Sequence, residues 1–281
     1  MVPVRSILAL LVIVWSCEVI YSQSSDTLFG VSMRTEVVLI AKEIEARTGK
    51  PIHADFYQLP ESQLGSSYID DDSGEAFLIV DPGLRSDKNK LEAVIAHELL
   101  HLKLRVNNYP TFVFSPAVRT AKGRAIDVEQ EHVNDLLSII EHYVFRADME
   151  RFGVYKYINL AGDTAEGARA RRGDQDSQAD SINYARAILE YKNPADAATV
   201  KQLFQANGWT RALSDGATIA RLIRDKYPRA ASDVQAVFLE CLRTLYPVPK
   251  PTIAFQLTPD PTNRYFRRMV INLGPAATNK R

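Results

Sequence analysis

A chain of 281 residues with 46% hydrophobic and 24% charged side chains has ordinary globular composition and enough apolar surface for a sizeable core, in one large domain or two modest ones. Its 34 basic and 34 acidic residues cancel, which excludes an overall field that would gather nucleic acid or an anionic membrane surface, so partners must be recognised locally. Two cysteines, Cys17 and Cys241, exclude a disulfide framework, and Cys241 within VFLECLRTLY reads as a small buried hydrophobe.

The chain begins MVPVRSILALLVIVWSCEVIYSQSSD, with Arg5 ahead of an apolar run from Ile7 to Trp15. This resembles a secretory signal peptide over residues 1–22, because the run is too short to span a bilayer and small residues follow it. Export to a periplasmic or extracellular location is expected. Val14-Trp15-Ser16-Cys17 is an imperfect bacterial lipoprotein pattern, which leaves membrane attachment through a lipidated Cys17 beside simple cleavage after Ser22.

Val31 to Lys50 has helical apolar spacing and should stop near Thr48, with Gly49 and Pro51 just beyond. Ile52 to Leu59 reads as a strand. SSYIDDDSGEAFLIVDPG reads as two extended pieces turning around Asp72-Ser73-Gly74, the second being the apolar run Ala76 to Val80. A helix follows from Lys88 to Val106, entered from Ser86-Asp87, then a loop with Pro110 and Pro116, then a long helix from about Val128 to Phe152 ended by Gly153. Ala161 to Asp180 is polar and carries three glycines, as an exposed linker would. Helical stretches near Ser181–Tyr191, Asp196–Asn207, Asp215–Lys226 and Ala231–Tyr246 come next, and two strand-like runs around Pro259–Asn263 suit a terminal hairpin. The order predicts an α+β fold, with a first unit over 27–155 and a mainly helical C-terminal region with its hairpin over 181–275.

Chemistry concentrates in LEAVIAHELLHLKLRV, residues 91–106. His97-Glu98-Leu99-Leu100-His101 is H-E-x-x-H on a helix: the two imidazoles project from one face a turn apart and can reach a single cation, while Glu98 leans beside them without being a ligand. Zn2+ held by neutral imidazoles lowers the pKa of its water to about 7, and a neighbouring carboxylate can then take a proton as water attacks an amide. A purely packing helix has no reason to carry a charged Glu98 among Ile95, Ala96, Leu99 and Leu100.

On these residues the sequence resembles the zincin metallopeptidases, over about Thr27 to Gly153. The resemblance implies a small sheet beside the H-E-x-x-H helix, with Ala76–Val80 as the edge along which an extended peptide or protein substrate pairs, and a third ligand from further on. No metzincin continuation follows His101, where Leu102, Lys103, Leu104 and Arg105 stand. In the gluzincin arrangement a later helix supplies a carboxylate, which selects Glu141 ahead of its neighbour His142; Glu129, Glu131 and His132 sit at the polar start of that helix and look solvated. Phe145 stands where the thermolysin-like pattern has an acid, so the support of the ligands is left to Asn134 or His142. Tyr143, His142 and Tyr109 are the candidates for a transition-state hydrogen-bond donor. The expected activity is zinc-dependent peptide hydrolysis with Glu98 as general base and His97, His101 and Glu141 on the metal. The alternative is a non-catalytic metal-binding module of the same fold that binds a peptide or protein partner.

Overall fold

Thr27–Leu28 (β1) and Val31–Ser32 (β2) form a short antiparallel pair that leads into helix α1, Thr35–Thr48. Gly49 ends α1 as expected: at φ 70° it takes the left-handed conformation that costs glycine nothing, and its N–H bonds the Glu45 carbonyl at 2.8 Å. The computed structural model describes residues 27–60, 63–115, 128–159, 164, 165, 169, 176–247, 253–262 and 267–275. The expected leader over 1–22, its lipoprotein-like Cys17 and most of the polar stretch after Ala161 lie outside these residues. Among the described residues no helix is long and apolar enough to cross a membrane.

His53–Phe56 (β3), Gly65–Ile69 (β4) and Ala76–Val80 (β5) form a mixed sheet in the order β3-β5-β4. The β4–β5 pair is the antiparallel hairpin expected around Ser73-Gly74, whereas β3 and β5 run parallel. One expectation is corrected here: Ala76–Val80 is the central strand and not an edge. Its AFLIV run suits the middle of a sheet, where neighbours cover it on both sides, and the polar Gly65-Ser66-Ser67 of β4 takes the edge.

Helix α2, Lys88–Val106, has the predicted bounds, with the Asp87 carboxylate capping it by accepting from the Lys90 amide at 3.0 Å. Every residue from Leu91 to Leu100 is buried, so α2 runs through the interior with no solvated stripe. That placement explains its weak amphipathic pattern and buries His97 and Glu98, with His101 partly buried.

The second half contains β6 (Thr111–Phe114), α3 (Gln130–Arg151), α4 (Ser177–Glu190), α5 (Pro194–Ala206), α6 (Thr210–Lys226), α7 (Ala231–Leu245), β7 (Ile253–Pro259) and β8 (Arg268–Pro275). Among the described residues, seven α-helices and small sheets make the fold α+β. The terminal hairpin forms as predicted, but β8 also pairs in parallel with β6, a strand within a stretch that reads as loop. Val113↔Val270 and Phe114↔Ile271 thus tie the chain after α2 to the C-terminus.

Two cores result. The first packs β3–β5, α1 and α2 against Phe145, Met149 and Phe152 at the end of α3. The second packs the first half of α3 against α4, α6, α7 and the β6-β8-β7 sheet, with Cys241 fully buried as expected. They meet along α3, so a side chain on the middle of α3 can face α2 from one side and α4 from the other.

Candidate metal centre and cleft

His97 and His101 lie one turn apart on α2, with their Nε2 atoms 3.1 Å from each other. Two nitrogens each about 2.0–2.1 Å from a zinc at the tetrahedral angle would stand roughly 3.3 Å apart, so this spacing suits a shared cation. From α3, His142 closes the group: one nitrogen from each of His97, His101 and His142 lies within 4.8 Å of the others. Burial and the neighbouring imidazoles push the His97 pKa well below its ordinary value, and burial also lowers that of His142 against the opposing pull of Glu190. Neutral imidazole is the form that binds a metal.

Glu141 sits elsewhere from where the sequence suggested. Its Oε2 meets Nδ1 of His101 at 2.7 Å, the ring nitrogen opposite the shared space, and its Oε1 pairs with the Arg105 guanidinium. Burial alone would raise this carboxyl, but Arg105 and His101 outweigh it and hold its pKa at about 2. The residue that faces the cluster is His142, the alternative weighed beside it. Consecutive helical positions point about 100° apart, so only one of Glu141 and His142 can face α2's pair head-on.

His142 has a carboxylate of its own: Glu190, the last residue of α4, approaches Nδ1 at 2.9 Å. The end of α4 is pinned there because Arg146 donates to the Leu189 carbonyl at 2.8 Å and the Tyr155 hydroxyl donates to the Glu190 carbonyl at 2.7 Å. Glu141 and Glu190 thus each meet Nδ1 of one imidazole, while Nε2 of His142 lies 3.2 Å from the Ser138 hydroxyl; a carboxylate on one ring nitrogen is the arrangement that fixes the tautomer of metal-binding histidines. No protein-family model matches this chain, and no curated protein or solved structure matches it either. Phe145 lies edge-on against the His97 and His101 rings and tilted against His142, with centroids 5.0–5.5 Å away, and so serves as an apolar floor where the thermolysin-like pattern has an acid.

Glu98 is placed beside this group. Its Oε1 is 3.9 Å from Nε2 of His97, while its Oε2 accepts from the Ser67 hydroxyl at 2.8 Å. Burial raises its pKa, opposed by His101 and the Ser67 hydrogen bond. A carboxylate so held keeps one oxygen fixed by β4 and presents the other to the imidazoles. Gly65 makes the close approach of β4 to α2 achievable, since a Cβ there would lie 2.7 Å from Val94 Cγ1 and 2.9 Å from Glu98 Oε1. Gly65→Ala is accordingly expected to cost about 1–3 kcal/mol in denaturant unfolding, with an unchanged midpoint refuting the contact.

The centre lies on the floor of a cleft of about 1790 Å³. One wall is β4, and the other carries Asn134, Ser138, Asn183 and Arg186 from α3 and α4, with β6 along the side. The proposed hydrogen-bond donors are not all here. Tyr109 is buried and donates to the Pro228 carbonyl at 3.2 Å, and Tyr143 packs against Tyr227 outside the cleft lining. Asn134 lines the cleft but bonds Gln130 at 3.0 Å and touches no imidazole of the cluster. His132, read as solvated, is buried against the end of α7, with Nδ1 2.5 Å from the Tyr246 hydroxyl. The residues that sequence reasoning missed are Ser67, Arg105 and Glu190. Arg105 and Glu190 each place a charge in an apolar helical stretch, the same mark that singled out Glu98.

Proposed function

We propose that the protein is a zincin-type, zinc-dependent peptidase in which His97, His101 and His142 hold the metal and Glu98 is the general base. The observation that carries this reading is the convergence of three imidazoles and one free carboxylate oxygen on the floor of a large cleft. The donor set suits the metal: three imidazole nitrogens are one of the usual protein ligand sets of catalytic zinc sites. When bound, zinc would supply Lewis acidity that acidifies water and polarises a carbonyl.

The chain's own groups do the rest. Glu98 takes the proton of the attacking water at Oε1, with Ser67 holding Oε2, and passes it to the leaving amine. Glu141 and Glu190 keep the rings of His101 and His142 turned inward. The edge strand β4 pairs on one side only among the described residues, so its other side offers main-chain groups to an extended polypeptide. A purely structural site would have no use for Glu98, which argues against a non-catalytic binding module. Export, read from residues 1–22, would put this activity outside the cytoplasm.

Elemental analysis of the purified protein, paired with hydrolysis of an unfolded polypeptide before and after chelation, tests the reading. One zinc per chain and activity that chelation removes and zinc restores are expected. Absence of bound metal, or hydrolysis that ignores chelation, overturns it.

A further inference from the structure

The cleft has a second sheet edge. In the β6-β8-β7 sheet, β6 pairs among the described residues with β8 alone, with the Thr111 and Ser115 amides directed at the Arg267 and Ile271 carbonyls. The alternate residues Phe112 and Phe114 therefore turn their main-chain groups away from β8. Those groups are met by one side chain: the Gln130 carboxamide donates from Nε2 to the Phe112 carbonyl at 3.1 Å and accepts from the Phe114 amide through Oε1 at 3.4 Å. A carbonyl and an amide two residues apart are the pair that one residue of an added parallel strand engages, donating through its own N–H and accepting through its own C=O. A side-chain amide has the same donor and acceptor as a peptide group, so Gln130 occupies the place of a missing strand.

We propose that β6 is a docking station for an extended polypeptide, remote from the metal centre, and that the incoming main chain displaces Gln130. Position along α3 sets the distance: Gln130 precedes His142 by twelve residues, which at 1.5 Å per residue is about 18 Å. An extended chain covers this in roughly five or six residues. The volume of the cleft, about 1790 Å³, exceeds the roughly 300–1,000 Å³ of small-molecule pockets and suits a polymer. Deepening the proposed peptidase reading, this names the substrate class as long, unfolded polypeptide and not di- or tripeptide.

The test uses the Glu98→Gln protein, so that binding is measured without cleavage, with fluorescein-labelled, reduced and carboxymethylated α-lactalbumin as the long probe and an unlabelled tetrapeptide as the short one. Adding Gln130→Ala should speed hydrogen exchange at the Phe114 amide and tighten the long probe about two- to tenfold, because one competing amide is gone. Saturating long probe should restore protection at Phe114 in both proteins, and the tetrapeptide should not. Affinity that stays the same or falls on Gln130→Ala, or Phe114 exchange that the long probe does not slow, overturns the proposal. Neither readout requires metal or turnover, so failure of the station and failure of the peptidase reading are told apart.

Discussion

Glu98→Gln is expected to lower peptide hydrolysis about 10²- to 10⁴-fold while leaving bound zinc unchanged. The amide keeps the size of the side chain and can still accept from Ser67, so packing against Gly65 and Val94 survives. What disappears is a group able to take a proton at the oxygen 3.9 Å from His97. Steady-state kinetics on one unfolded substrate, with zinc measured on the same samples, separates the two effects. Turnover within threefold of the parent would remove Glu98 from the reaction, and loss of zinc would make it a ligand instead of a base.

Glu141→Ala should be the most destabilising change at the centre, costing about 3–5 kcal/mol, because it leaves the mostly buried Arg105 guanidinium without its carboxylate. The same variant should keep zinc with an affinity weaker by about 10- to 100-fold, since Nδ1 of His101 loses its orienting partner but no ligand is removed. His142→Ala, by contrast, removes a proposed ligand and should abolish stoichiometric zinc. The opposite pattern, zinc lost in Glu141→Ala and kept in His142→Ala, would restore Glu141 to the metal. Acid dependence provides a separate check. The Glu141 pKa is held at about 2 in the folded protein, below its ordinary 4.5, so its contribution is complete above pH 4.5 and is lost as pH falls toward 2. Urea unfolding of metal-free protein should therefore show less loss of stability between pH 4.5 and 2 in Glu141→Ala than in the parent.

Three local signals were read correctly because their determinants are short in sequence, whereas the start of α1 was not: Val31–Ser32, expected as helix, is a strand and the helix begins at Thr35. The α2 cap at Asp87, the stop of α1 at Gly49 and the turn between β4 and β5 each depend on a few consecutive residues whose backbone preferences decide the outcome. The placement of His97, Glu98 and His101 on one helix is likewise a matter of helical geometry alone. Strand order is different in kind. Ala76–Val80 could be recognised as extended, but its central position depends on β3 and β4 both finding it. The β6–β8 pair joins residues about 157 apart in the chain, and short apolar runs do not encode such partners.

The choice between Glu141 and His142 shows the boundary most sharply. Composition and spacing showed that this stretch of α3 carries both a carboxylate and an imidazole among apolar residues, two candidates to join His97 and His101. Which one faces the pair was decided by the roll of α3 between the two cores, and that roll is set by the packing of Phe145 and Met149 on one side and Leu136 and Ile140 on the other. With the roll set, Arg105 is left for Glu141 and Glu190 arrives to meet His142, because buried charges and buried imidazoles must find partners wherever packing has put them.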